Sequence, residues 1–87
     1  QDYSDVSKSY ILSQYKQISD NVKFLRIKNL TQEQVALSME FSTATFYTNA
    51  ENFKSGKHFN LEHLIKISKI LDVPIVDFFE SQTMTNT

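Results

Sequence analysis

Cysteine and tryptophan are absent, and glycine and proline occur once each. Without a thiol there is no disulfide and no thiolate zinc site. A single Gly and a single Pro leave little material for the tight turns that a sheet needs, so helices are the default. No apolar run is long enough for a membrane span or a signal peptide. A cytoplasmic chain with no membrane attachment is therefore expected, and its opening at Gln1 suggests a trimmed one. Charge of one sign is lacking too: nine Lys and Arg face ten Asp and Glu, for a net charge of −1. No general positive field draws such a chain to nucleic acid, and any binding of that kind depends on local asymmetry. Catalytic patterns are also missing, with no Gly-rich phosphate cradle, no paired carboxylates and no nucleophile beside an oriented base. His58 and His63 lie five apart across a helix start and do not share a face as metal ligands should. An enzyme, a cofactor and a metal centre are not expected.

What is present is apolar volume. Apolar residues make up 40% of the 87 and aromatics 13%, with seven Phe. A chain this short buries only about 60% of the surface it exposes when unfolded, so one compact helical core is the expected solution.

The helices announce themselves by their ends. Thr31 with Gln34 reads as a capping box, in which each side chain satisfies a backbone donor of the other's turn, and Leu30 with Val35 supplies the hydrophobic staple. The same grammar recurs at Ser42, between Phe41 and Phe46, and at Asn60, between Phe59 and Leu64. These are predicted starts of helices two, three and four. Helix one is expected through "ISDNVKFLRIKN", where Ile18, Val22 and Leu25 share a face. In "LEHLIKISKIL", Leu61, Leu64, Ile65 and Leu71 are expected inward and Lys66 and Lys69 outward. Pro74 suits the first turn of a short fifth helix, because the N–H it lacks has no partner there. The predicted core is Val22, Leu25, Val35, Ala36, Met39, Phe46, Leu64, Ile67, Leu71, Val73 and Phe78.

Gln32 at the first position of helix two, Ala36 facing the next helix and Ser42 opening helix three resemble the lambda-repressor-like (Xre-type) helix-turn-helix family. So do the runs "LTQEQVA" to "FST" and "NLEHLIKISKILDVPIVDFF". The resemblance spans about residues 18 to 80. It implies an all-α, five-helix helix-turn-helix domain over 18–80, preceded by an N-terminal helical extension, 1–17, and followed by a polar flexible tail, 81–87. Three features depart from the family. Glu40 stands where Gly usually supports a left-handed turn, at a strain of about 1 kcal/mol if that turn is kept. The segment "NAENFKSGKHFN" is about two residues longer than usual. The extension is extra, and Ile11 and Tyr15 continue the stripe of Ile18, Val22 and Leu25 in heptad rhythm, so helix one is expected either to be long or to follow a closely joined helix. Val6, Tyr10 and Ile11 either fold back over the core or form a dimer contact.

The resemblance implies a sequence-specific transcriptional regulator of double-stranded DNA, working as a homodimer. Thr43, Ala44, Tyr47 and Thr48 of helix three, about residues 42–50, are expected to face base edges, where hydroxyls and methyls suit A·T pairs. Gln32 and Ser42 would meet the DNA backbone from the helix starts, and Lys54, Lys57, His58 and Asn60 from the following loop. Arg26 is expected to pair with Glu51 in a structural role. The same residues admit another reading, a helix-turn-helix used for protein contact, with Tyr47, Phe53 and Phe59 as anchors.

Overall fold

The computed structural model describes residues 5–40 and 44–80 and begins with a helix that starts ten residues before the expected domain boundary at residue 18. Helix α1 runs unbroken over Lys8–Arg26, 19 residues, or about 28 Å at 1.5 Å per residue. Ser7 caps it, its Oγ accepting from the Tyr10 N–H at 3.1 Å, and Lys23 and Arg26 in the last turn complement the negative end of the helix dipole. The boundary expected at residue 17 therefore falls inside one helix. Val6, Tyr10 and Ile11 do not fold back over the core. They are 42%, 57% and 42% exposed, because they lie at and just before the start of α1, whose buried residues begin only at Ser19.

Helix α2 spans Gln32–Ser38 and begins with the predicted capping box: Gln34 N–H to Thr31 Oγ1 at 3.1 Å and Thr31 N–H to Gln34 Oε1 at 2.8 Å. Met39 ends it, and Glu40 follows with φ 64. The left-handed turn is thus kept without glycine. Phe41, Ser42 and Thr43 lie outside the described residues, and with them the predicted Ser42 cap and half of its Phe41–Phe46 staple. Helix α3 is Thr45–Glu51, preceded by Ala44 with no side-chain cap bond, so it starts later than a cap at Ser42 implies. A 3-10 turn, Lys54–Gly56, follows.

Helix α4, Leu61–Leu71, opens on a second capping box in which His63 plays the part usually taken by Glu or Gln. Asn60 Oδ1 accepts from the His63 N–H at 2.8 Å, and His63 Nδ1 accepts from the Asn60 N–H at 3.1 Å. Asp72, in the left-handed region, ends α4, with Asp72 N–H bonded to Lys69 O and Val73 N–H to Ser68 O. This is the Schellman pattern. The expected fifth helix is instead a 3-10 segment, Ile75–Phe79. Pro74 precedes it, and its carbonyl accepts from the Asp77 N–H three residues on. There are four α-helices and no strand among the described residues, and no described helix is long and apolar enough to cross a membrane.

Eight of the predicted core residues are buried: Val22, Leu25, Val35, Ala36, Met39, Leu64, Ile67 and Phe78. Phe46, Leu71 and Val73 are half-buried against that core, which also takes in Tyr47, Ala50 and Phe59. Leu61 and Ile65 point outward, 62% and 48% exposed, because α4 buries only the narrow arc of Leu64, Ile67 and Ser68. Two buried polar side chains lock α1 to what it crosses. Ser19 Oγ donates to Ala50 O of α3 at 2.8 Å, and Asn21 Nδ2 to Phe78 O of the closing 3-10 segment at 2.9 Å. The Asn21 amide thereby gives the Phe78 carbonyl a buried donor, and Ser19 adds a second donor to Ala50 O, which also accepts from the Phe53 N–H at 3.2 Å.

Candidate nucleic-acid interface

Glu51, the last residue of α3, is 2% exposed, and an unpaired carboxylate there would carry a large desolvation cost. Four donors from three helices answer it. Arg26 of α1 makes a two-pronged ion pair, Nε to Oε2 at 2.6 Å and Nη2 to Oε1 at 3.0 Å. Gln32 Nε2 of α2 donates to Oε1 at 2.7 Å, and Tyr47 Oη to Oε2 at 2.9 Å. The remaining arm of Arg26 reaches Leu30 O at 2.8 Å, at the entry to α2. The expected Arg26–Glu51 pair is therefore the hub of a network that fixes α2 and α3 against α1. Burial opposes the Arg26 charge, but hydrogen bonds to Glu51 and its charge outweigh that and hold the guanidinium above its ordinary range. Burial pushes the Tyr47 phenol far up, and the neighbouring carboxylate adds to the effect, so Tyr47 stays a neutral donor.

This network overturns one expectation. Tyr47 is fully buried, tilted against Phe59 at 5.2 Å between ring centroids, and cannot reach a base. It is neither a base reader nor, with the buried Phe59, an anchor for a protein partner. Residue 47 faces inward because Glu51 lies one helical turn ahead and satisfies its hydroxyl. Phe46 takes the half-buried position beside it and meets the His63 ring at 5.0 Å.

Tyr47, Ala50 and Glu51 form the buried face of α3. The opposite stripe is Thr45, Thr48, Asn49 and Asn52, at spacings of three, four and seven, the rows that share one side of a helix. Thr45 and Asn52 are exposed, Thr48 and Asn49 half-buried. Thr48 Oγ1 donates to Gln32 Oε1 at 3.3 Å, so Thr48 and Gln32 brace each other across the two helices. Ala44 is half-buried at the head of this stripe, while Thr43 and Ser42 lie outside the described residues. Thr45, Asn49 and Asn52 are not among the residues expected from the sequence. Their signal is a polar row at helical spacing, visible only once Tyr47 is assigned to the core.

Gln32 does not extend from α2 toward solvent as a phosphate ligand would. Its amide is committed at both ends, to Glu51 and Thr48. Asn60 is likewise occupied as the cap of α4. Lys54 and Lys57 are exposed in the loop after α3, as expected. His58 stacks on Tyr15 of α1 with ring centroids 3.8 Å apart and planes 13° from parallel, its Nδ1 lying 3.0 Å from Gly56 O. The stack pins the loop to the middle of α1. In that loop Phe53, Ser55 and Gly56 all have positive φ, which turns the chain sharply between α3 and α4.

This stripe, exposed at Thr45 and Asn52 and half-buried at Thr48 and Asn49, carries hydroxyl and carboxamide groups that can donate and accept, and an Asn side chain matches the N6 and N7 edge of adenine with two bonds. Glu33 and Glu40 are exposed nearby, and no Lys or Arg lies between residues 29 and 53. Compared with protein-family models, curated proteins and solved structures, the chain matches none.

Proposed function

We propose that this chain is a sequence-specific reader of double-stranded DNA, a regulator that lays α3 in the major groove and binds a two-fold site as a homodimer. One observation carries the reading: α3 presents the polar stripe Thr45, Thr48 and Asn49 on one side, while the Glu51 network holds its other side rigidly against α1 and α2. A base-reading helix needs that combination of exposed hydrogen-bonding groups and a fixed rear face. Asn49 is the discriminating residue and Thr45 and Thr48 flank it. Gln32 serves as a strut that sets the position of Thr48, and Lys54 and Lys57 supply the phosphate contacts.

A second reading has its own support. Glu33 and Glu40 sit on the helix pair with no basic residue in it, and Leu37 is 57% exposed, a surface suited to a protein partner. Selection from random duplexes at low salt separates the two. Enrichment of a two-fold motif that disappears in Asn49→Ala supports the DNA reader. No enrichment by the folded chain overturns it and leaves the protein-contact reading.

A further inference from the structure

The N-terminal third of α1 carries apolar side chains that stand apart from the buried core. Tyr10 and Ile11 are 57% and 42% exposed, with Val6 just before the helix at 42%. Two turns of helix have little stability without packing, and an apolar stripe left in water gains nothing from it. Ile11 lies one turn before Tyr15, on the same face of α1. Tyr15 and Ile18 in turn line a groove of about 280 Å³ closed by Phe59, Leu61, Leu64 and Phe79. A protruding apolar ridge and an open apolar groove thus follow each other along a single helix. Phe79 and Leu61, 48% and 62% exposed, form the groove's outer wall.

We propose that the occupant of this groove is the projecting end of α1 from a second copy of the chain. A two-fold axis beside Tyr15 would run the two α1 helices antiparallel, so that Ile11 of each protomer covers the partner's groove, with Tyr10 at the flank of the contact. Both exposed surfaces are then buried by the same contact. An isologous pairing of this kind closes on itself and does not recruit a third copy. Charge adds a smaller argument in the same sense: Glu80 and Glu62, the latter already paired with Lys66 at 3.2 Å, are exposed beside the groove's outer wall, and the projecting turn carries Lys8 beside the ridge. A foreign helix would fill the groove but leave the ridge of α1 uncovered, which is why a second copy is the occupant assigned here. The inference deepens the proposed homodimer by giving it a surface, and it is tested without DNA, so its failure and that of DNA reading are separate results.

Sedimentation equilibrium of the full chain, from about 10 µM to 1 mM, reads the contact directly. The expected result is a dimer whose dissociation constant weakens at least tenfold in Ile11→Glu, a change that puts a carboxylate beside an acidic flank. Ile11 lies outside the core of its own body, so the far-UV circular dichroism of that variant should match the parent. Leu37→Glu, on exposed α2, should leave the dimer intact. A parent chain that is monomeric at 1 mM overturns the proposal, and so does a dimer that Ile11→Glu leaves unchanged. The first outcome would give the groove to a foreign helix, and the second would place the two-fold contact elsewhere.

Discussion

Gln32 Nε2 donates to Glu51 Oε1 at 2.7 Å, which ties the first residue of α2 to the last residue of α3. The two helices are therefore held at their far ends, not only through the turn between them, and the carboxylate that receives this bond also holds Arg26 and Tyr47. Removing the charge at position 51 leaves a buried guanidinium without its counter-ion. Glu51→Gln is expected to lower the unfolding free energy by about 3–5 kcal/mol, the usual penalty for breaking a buried pair from one side. Urea denaturation measures it, and a loss below about 1 kcal/mol would show that the network contributes little.

Tyr47→Phe keeps the ring in the core and deletes only the bond to Glu51. A loss of about 1–3 kcal/mol is expected, the range for a buried acceptor deprived of a donor. Discrimination between DNA sites should not change, since the ring never meets solvent. A change in site preference with unchanged stability would return Tyr47 to the surface.

Asn49→Ala should act in the opposite way, with little effect on stability and a loss of about 1–3 kcal/mol in discrimination at one base pair. Neutralising Lys54 and Lys57 together should weaken binding to all sequences alike. It should also flatten the dependence of log K on log salt by roughly 0.9 for each phosphate no longer neutralised. Binding isotherms at several salt concentrations tell the two effects apart.

Much of this arrangement follows from short-range rules. Thr31 with Gln34, and Asn60 with its helix start, are legible in the sequence because a cap is settled within four residues. Glu51 is legible through Arg26 and the family resemblance, but its donors Gln32 and Tyr47 are not, because the partners of a buried carboxylate come from three helices. Tyr47 misleads for a related reason: its hydroxyl suggests a surface residue until a buried acceptor is known. Leu61 and Ile65 mislead because not every aliphatic residue of α4 packs inward, the buried arc being only as wide as its neighbours α2 and the 3-10 segment require. Ser19 and Asn21 carry no local signal at all, since a polar residue in a helix is ordinarily solvated and only tertiary contact turns it inward.

His63 gives the fold a dependence on pH. Burial, joined by the charge of Lys66 and opposed by that of Glu62, holds its pKa below the ordinary value, and its Nδ1 must be unprotonated to accept from Asn60. The folded state therefore binds a proton less readily than the unfolded chain. Stability from this cap is complete above the unfolded value of about 6.5 and is lost as pH falls through the lower folded one. His63→Gln, which can form the same box without titrating, should remove that acid-side slope. Denaturation of both proteins at pH 7.5 and 5.5 checks it, and parallel losses in the two would mean the slope arises elsewhere.

Glu40 sits at φ 64, a region where an L side chain costs about 1–2 kcal/mol. Glu40→Gly removes that strain while giving the unfolded chain more freedom, for a net gain of about 1 kcal/mol. A rise of several degrees in Tm is expected for a domain of this size. A fall in Tm would mean that the Glu40 side chain contributes more than its backbone costs.

The unbroken course of α1 makes it a lever. Its fulcrum is the Ser19 hydroxyl on Ala50 O, its short arm ends at Arg26 on Glu51, and its long arm carries Tyr10 out beyond the body. No Gly or Pro interrupts Lys8–Arg26, so the outer end and the end that meets α3 belong to one continuous helix. Whatever grips the outer arm therefore also aims the polar stripe, and two such levers crossed at one axis would set the distance between their stripes.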